Sequence, residues 1–342
     1  MNYRMISYVL GWIMVFEAAF MAVPLITAAV FAEGNSALWF GVSAAVCLVM
    51  GGLLILIKKP QNKRLFSREG FVIVALSWIL LSLFGALPLF LSGAIPSFID
   101  ALFETVSGFT TTGASILSDV EALPKSMIMW RSFTHWVGGM GVLVFIMAFL
   151  PLSGGQNMHI MKAESPGPSV SKLVPRVKTT ALLLYSIYFV LTLAEFVLLL
   201  CGGMTGFEAL NTAFATAGTG GFGFYNDSMA GFSPYIQIVV TVFMLLFSIN
   251  FNSYFFLLNR KFREAFNTEV VVFLIIVAAA ITILTFDNID LYPASGDALR
   301  HSAFTVASLI STTGFSTVDF NVWSELSRTI IIIIMFIGAC AG

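Results

Sequence analysis

Long apolar stretches alternate with short polar segments along the whole chain. An α-helix needs about 20 mostly apolar residues to cross a hydrocarbon layer about 30 Å thick. Eight stretches are predicted to span on this basis: Tyr8–Phe31, Ala37–Ile57, Phe71–Leu91, Met127–Leu150, Thr180–Cys201, Tyr235–Leu258, Val270–Phe286 and Arg328–Gly342. The apolar part of the first is longer than the usual signal-peptide core of about 7–15 residues, so we expect a retained span. The pattern predicts an all-α polytopic membrane protein.

Three shorter apolar segments lie between a span predicted to run outwards and the next span, predicted to run inwards. They begin at Ala101, Ala209 and Ala303, and each ends in Thr and Gly residues. About ten apolar residues cannot cross a membrane, so each segment is predicted to dip in as a half-helix and return. The repeated unit is therefore span, half-helix, Thr/Gly loop and span. Irregular backbone at membrane depth is tolerated only where it is buried in protein or lines a water-filled path.

The three Thr/Gly loops are the candidate ion-binding site. Their residues are Thr110, Thr111, Thr112 and Gly113; Gly218, Thr219, Gly220 and Gly221; and Ser311, Thr312, Thr313 and Gly314. A half-helix that enters from outside points its carbonyl end towards the membrane centre, which favours a cation. Backbone carbonyl rings can replace an ion's hydration shell. Small residues for helix packing would explain one such loop, but three copies in the same place favour a selectivity filter.

Composition and charge exclude several other classes. Only 10% of the 342 residues are charged and 58% are hydrophobic, whereas soluble domains are about a quarter charged. The net charge of −1 gives no basic field for nucleic acid. No metal-ligand spacing, phosphate-binding loop or catalytic cluster is present in the sequence, so we expect no enzyme activity and no bound cofactor.

Basic residues predict the orientation. Thirteen of the 17 Lys and Arg residues fall on one predicted side: Arg4, Lys58, Lys59, Lys63, Arg64, Arg68, Lys162, Lys172, Arg176, Lys178, Arg260, Lys261 and Arg263. The other four are Lys125, Arg131, Arg300 and Arg328. The first side is therefore predicted to be cytoplasmic and to include the N-terminus. The outer loops are acidic. Their negative charge either serves to concentrate cations at the outer mouth or is simply what remains when basic residues are kept inside.

The Thr/Gly loops resemble those of the Trk/Ktr/HKT superfamily of K⁺ transporters, closest to its bacterial TrkH-type subunits. The segments from His135 to Val144 and from Met335 to Gly342 also match, and the resemblance covers nearly the whole chain. It implies a K⁺-channel-like fold with four pore units in one polypeptide, and the selectivity glycines here are Gly113, Gly221 and Gly314. It further implies K⁺ as the transported ion, a homodimer in the bacterial inner membrane among its lipids, and a cytosolic TrkA/KtrA-type nucleotide-binding regulatory subunit.

The resemblance also predicts the division of the chain. The expected parts are a transmembrane hairpin (1–60), a first pore unit (68–152), a cytoplasmic linker (153–178), a second pore unit (179–264) and an incomplete third (268–342). The family has a fourth unit, so we expect that the chain is truncated at its C-terminus and does not conduct alone as written.

A few polar residues in apolar surroundings leave alternatives open. Glu17 and Glu195 lie inside predicted spans, where they either relay protons for H⁺-coupled symport or form structural hydrogen bonds. Glu104 either orients the first filter loop or reaches solvent. Breaks near Gly138, Asn250 and Gly338 are candidate gating points. The alternative function is a secondary transporter of another class, in which discontinuous helices hold an anionic or amino-acid substrate at half-helix N-termini.

Overall fold

The computed structural model describes residues 1–57, 67–139, 141 and 177–338, and these are helices, turns and loops with no strand. The chain divides into two compact bodies with their boundary between Leu183 and Leu184. In the described ranges, five helical segments are long and apolar enough to cross a membrane: Tyr3–Val30, Gly34–Leu56, Arg68–Leu91, Leu182–Cys201 and Thr268–Asp287. A bent pair of helices makes a sixth candidate.

The N-terminal body begins with a helical hairpin. Its helices are α1 (Tyr3–Phe20), α2 (Ala22–Val30) and α3 (Gly34–Ile57). The helix breaks at Met21 because Pro24 has no N–H to bond the carbonyl of Phe20. Gly11 of α1 and Gly51 of α3 face each other, and a Cβ on either would lie within 2.8 Å of the other's carbonyl oxygen. Such small residues let helix backbones approach closely in a membrane.

The rest of the N-terminal body builds the first half-helix and its neighbours. After α4 (Ser67–Gly85) and α5 (Leu87–Leu91) come the first half-helix α6 (Phe98–Phe109) and α7 (Lys125–Gly139). The half-helix packs between α4 and α7. Trp130 of α7 is fully buried; its ring packs edge-on against Phe109, and its Nε1 donates to the carbonyl of Gly85 at 2.9 Å.

The hairpin also holds the start of α7. The carboxylate of Glu33, in the turn before α3, accepts the backbone N–H groups of Lys125 and Ser126 at 2.6 and 3.1 Å and the Ser126 hydroxyl at 2.5 Å. These N–H groups have no partner inside the helix. Glu33 therefore fixes the outer end of α7 to the N-terminal hairpin.

The C-terminal body contains the second half-helix and a sharply bent span. It begins within α8 (Val177–Cys201) and continues through the second half-helix α9 (Gly206–Ala217), α10 (Pro234–Ser248), α11 (Phe251–Leu258) and α12 (Phe262–Ala265). Thr205 and Glu208 form a reciprocal capping box at the start of α9. The axes of α10 and α11 meet at 91°.

The same body holds the third half-helix. The remaining elements are α13 (Thr268–Asp287), the 3₁₀ turn Ile289–Leu291, the third half-helix α14 (Ser295–Ile310), the 3₁₀ turn Phe320–Val322 and α15 (Glu325–Ile337). The third half-helix packs against α10, α13 and α15. It has 16 residues instead of the expected ten or so, because a polar first turn with an Asp297–Arg300 ion pair at 2.9 Å precedes the apolar part.

Most of the predicted spans have a matching helix. The structure describes the predicted span Met127–Leu150 only as far as Gly139, and Gly141 in addition. It describes the predicted span Arg328–Gly342 as far as Gly338. The predicted linker 153–178 lies outside the described residues except for its last two positions, which begin α8. The proposed unit boundaries stay a prediction.

Candidate cation filter

Each Thr/Gly loop begins where a half-helix ends. The first half-helix ends at Phe109, the second at Ala217 and the third at Ile310, and the four predicted loop residues follow directly in each case. The loops therefore lie at the C-terminal ends of the half-helices. These ends carry the partial negative charge of the helix dipole.

The three loops share one unusual backbone conformation. The second residue of each is a threonine with positive φ: Thr111 at 53°, Thr219 at 51° and Thr312 at 61°. The fourth is a glycine with positive φ: Gly113 at 74°, Gly221 at 74° and Gly314 at 84°. A positive φ is a genuine outlier for a β-branched residue. Its recurrence at the same place in three loops indicates that the conformation is required.

The loop N–H groups point back into the half-helix. The N–H of the third loop residue donates to a helix carbonyl five residues earlier: Thr112 to Ser107 at 2.9 Å, Gly220 to Ala215 at 3.1 Å and Thr313 to Ser308 at 2.9 Å. The first and second loop N–H groups also donate to helix carbonyls. In a planar trans peptide the carbonyl points opposite to the N–H. The carbonyls of the first and second loop residues, such as Thr110 and Thr111, therefore point away from the half-helix.

The side chains at the first and third loop positions bond to each other. The hydroxyls of Thr110 and Thr112 lie 2.8 Å apart, and those of Ser311 and Thr313 lie 2.7 Å apart. The second loop has Gly218 and Gly220 at these two positions and no side chain to pair. The backbone is therefore the feature that the three loops have in common.

The second and third loops are in contact within the C-terminal body. A Cβ added at Gly221 would lie 1.9 Å from the carbonyl oxygen of Thr313. Farther along, Met229 donates its N–H to the carbonyl of Ser316 at 2.9 Å, and Ser316 donates its N–H to the Ser228 hydroxyl at 3.1 Å. The two loops are therefore held side by side. The first loop belongs to the N-terminal body.

Comparisons with known proteins identify the family of this chain. The sequence profile of a family described as TrkH, a cation transport protein, matches residues 40–342. The chain belongs to the TrkH family. With its apolar spanning helices, this TrkH-family chain is a multi-pass membrane protein.

Named TrkH relatives match along the whole chain. The Trk system potassium uptake protein TrkH of Halomonas elongata is 35% identical over 100% of this chain and 72% of its own length. The protein of the same name in Escherichia coli is 32% identical with the same coverage. The crystal structure of the potassium transporter TrkH from Vibrio parahaemolyticus superposes with a TM-score of 0.86 at 30% identity, covering 100% of this chain and 71% of that one.

Each loop of the TrkH-family chain is also tied back to its own half-helix beyond the filter residues. In the second unit the Tyr225 hydroxyl donates to Glu208 at 2.7 Å. In the third, His301 Nδ1 lies 2.9 Å from the Thr317 hydroxyl. Partial burial, together with the neighbouring Arg300, lowers the pKa of His301, so this contact uses a neutral ring near pH 7. Sequence reasoning missed both contacts because the partners lie 16 or 17 residues apart.

The first loop has a different tie. Glu104, predicted either to orient this loop or to reach solvent, is buried and accepts from Arg131 at 2.6 Å. It also accepts from the hydroxyl of Ser115 at 3.0 Å. Glu104 is therefore bonded to the chain just beyond the loop and does not reach solvent. From the sequence, Arg131 is one of the four basic residues on the predicted outer side, and no sequence pattern links it to Glu104.

Two other carboxylates are buried inside spans. Glu17 and Glu195 are fully buried. The carboxylate of Glu17 has no hydrogen-bond partner among the described residues, whereas that of Glu195 lies beside the Thr216 side chain of the second half-helix. An ideal Cβ at Gly85 would lie 3.2 Å from Glu17 Oε1 and 2.9 Å from Thr105 Cγ2, so Glu17 lies beside the first half-helix. A role in proton coupling stays a prediction.

The expected break in the second unit is confirmed. The α10 helix ends at Ser248, and Asn250 caps α11 by accepting the N–H of Asn252 at 3.1 Å. In the third unit α15 ends at Ile337, and in the first the described part of α7 ends at Gly139. A gating role for these points stays a prediction.

Proposed function

We propose that this chain forms part of a K⁺ uptake pathway whose filter includes the carbonyls of residues 110–113, 218–221 and 311–314. The observation that carries the proposal is the backbone conformation shared by the three loops. In each loop φ is positive at the second and fourth residues, and the N–H groups of the first three residues donate to carbonyls of the half-helix. Carbonyl oxygens presented in this way can replace the hydration shell of a monovalent cation. The relatives named as potassium uptake proteins support K⁺ as that ion.

The surroundings of the proposed pathway follow from the same assignment. The chain lies in the bacterial inner membrane with its N-terminus in the cytoplasm, as the distribution of basic residues predicts. It works as a homodimer with a cytosolic nucleotide-binding subunit of the TrkA kind, in keeping with relatives that are named as parts of a Trk system. K⁺ is the transported ion and no cofactor takes part.

Half-helix polarity disfavours an anionic substrate. A transporter for anions would present half-helix N-termini to the substrate. Here each N-terminal first turn contains a carboxylate, from Asp100, Glu208 or Asp297. These charges would repel an anion, whereas the three loops lie at the opposite ends.

Substituting Gly113 with Ser in the intact protein tests the filter directly. The serine would carry a Cβ into a backbone position with φ of 74°, which costs about 1 kcal/mol or more for an L-residue. We expect the preference for Rb⁺ over Na⁺ to fall about tenfold, equivalent to about 1.4 kcal/mol. The measurement is ⁸⁶Rb⁺ uptake against increasing Na⁺ in cells that lack other K⁺ uptake systems.

A matched control separates the filter from general backbone strain. Gly93 also has a positive φ, of 78°, but lies in the loop before the first half-helix with open space around its Cβ position. Gly93→Ser should retain the preference of the unmodified protein. If Gly113→Ser retains it too, the filter assignment is wrong.

A further inference from the structure

A buried ion pair lies directly behind the first filter loop. Arg131 Nε donates to Glu104 Oε1 at 2.6 Å, and the two side chains are 2% and 0% exposed. Glu104 lies six residues before the first loop residue, and Arg131 lies on α7. Hydrogen bonds between charged groups are short and strong, and buried pairs are screened little by salt.

The pair also holds the chain as it leaves the filter. The Ser115 hydroxyl donates to Glu104 Oε1 and Oε2 at 3.0 and 3.2 Å, and the Ile116 N–H donates to Glu104 Oε2 at 3.1 Å. Arg131 Nη2 donates to the Ser115 hydroxyl at 3.3 Å. Ser115 comes two residues after Gly113, so these bonds fix the exit of the loop.

The α7 helix touches the start of the same loop as well. A Cβ at Gly138 would lie 2.1 Å from the carbonyl oxygen of Phe109 and 3.0 Å from the Thr111 methyl carbon. One helix thus contacts both ends of the loop, through Gly138 at its start and through Arg131 beyond its end. A shift of α7 would therefore move the loop carbonyls.

The other two loops have no such pair within the described residues. The equivalent position, six residues before the loop, is Thr212 in the second unit and Thr305 in the third. Their ties are the contacts of Tyr225 with Glu208 and of His301 with Thr317. These lie nearer the surface than the Glu104–Arg131 pair. The first loop is the one held by buried opposite charges.

We infer that Glu104 and Arg131 are positioning residues that set the K⁺ selectivity of the first filter loop. The inference rests on the proposed function, because it assigns to the pair the placement of carbonyls that contact the ion. Neither side chain touches the ion. Each acts through the backbone between Thr110 and Ser115.

Four variants, each made in the intact protein, test the inference in proteoliposomes. The measurement is ⁸⁶Rb⁺ uptake against Na⁺ per molecule of inserted protein. Glu104→Gln should lower the preference for Rb⁺ about tenfold, or about 1.4 kcal/mol. Glu104→Gln with Arg131→Met leaves no unpaired buried charge to prevent folding, and it should show the same loss. Ser115→Ala should give a smaller loss with the ion pair intact, and Arg131→Lys should keep part of the preference because it keeps the charge.

The third unit supplies a matched control. Arg328 and Glu325 form an ion pair of the same 2.6 Å length on α15, with side chains 43% and 92% exposed. Glu325→Gln should leave the preference unchanged.

The outcomes distinguish the two levels of the proposal. A purely structural pair would change the amount of inserted protein but not the ion preference per molecule. If both Ser115→Ala and the double variant keep the full preference while Gly113→Ser loses it, the positioning role is overturned and the filter stands. If Gly113→Ser also keeps it, the filter itself is overturned.

Discussion

Three threonines hold a costly backbone conformation in the filter loops. A β-branched residue held in the left-handed region costs about 1–3 kcal/mol, and Thr111, Thr219 and Thr312 all do so. The neighbouring N–H bonds into the half-helix offset part of this cost. A loop under such strain keeps its shape only while its surroundings hold it, which is why the contacts behind it matter for function.

The contact between the second and third loops leads to a prediction about glycine. Gly221 and Gly314 both have a positive φ. Alanine at either position should therefore destabilise the folded protein by about 1–2 kcal/mol, because an L-residue in the left-handed region is strained. Only Gly221 has a carbonyl oxygen 1.9 Å from its Cβ position, whereas no described atom lies within 4 Å at Gly314. Gly221→Ala should therefore lower the melting temperature of the purified protein more than Gly314→Ala, by the further 1–3 kcal/mol or so typical of overpacking.

Equal losses of stability in the two alanine variants would count against this contact. The comparison is well controlled because both glycines hold the fourth position of their loops and lie in the same compact body. Tryptophan fluorescence during heating in detergent gives the two melting temperatures.

At the scale of elements, the N-terminal hairpin stabilises the first pore unit through Glu33. This carboxylate accepts two otherwise unpaired N–H groups and a hydroxyl at the start of α7. Removing a side chain that caps a helix in this way costs about 0.5–2 kcal/mol. Glu33→Ala should therefore lower the melting temperature, and the same heating experiment measures it.

Asp290 provides the control for Glu33. It is another acidic residue predicted to face outwards, and it is exposed in the 3₁₀ turn after α13. Asp290→Ala should leave the melting temperature nearly unchanged. A drop as large as that of Glu33→Ala would show that loss of outer charge, not loss of the cap, destabilises the protein.

The elements also show where sequence reasoning succeeds and where it stops. Apolar length predicted the spans because crossing a membrane sets the length of a helix. Apolar length placed the start of the third half-helix too late. The first turns of this helix are polar, so hydropathy does not indicate a helix there; their polar residues include Asp297, Arg300 and His301. Arg131 was missed for a related reason, since its partner Glu104 lies on another helix 27 residues away.

At the scale of the whole molecule, the orientation in the membrane is open to a direct test. In a variant with Cys47, Cys201 and Cys340 replaced by serine, single cysteines at Asp119 or Asp319 should react with a membrane-impermeant maleimide added to intact cells. A cysteine at Lys261 should react only after the membrane is opened. The basis is the excess of Lys and Arg on the predicted cytoplasmic side.

The reverse pattern would overturn the predicted orientation. It would also place the half-helix C-termini on the opposite side of the pathway relative to the cell.

The shared backbone of the three Thr/Gly loops was the most predictable part of the molecule. Three Thr/Gly segments in one topological position indicated a repeated backbone, and glycine at the fourth position agrees with the positive φ found there. The positive φ of the threonines was not predictable, because local propensity argues against it. Such a conformation arises from packing between elements, which a sequence pattern does not specify.

The right-angled bend after α10 links this protein to the thickness of its bilayer. Fifteen residues of α10 rise about 22 Å, which is less than the roughly 30 Å of hydrocarbon in a typical membrane. The chain then turns by 91° into α11, whose last residue, Leu258, is 73% exposed. A change in bilayer thickness would change the mismatch with this short, bent pair of helices, so we expect acyl-chain length to affect the angle between α10 and α11.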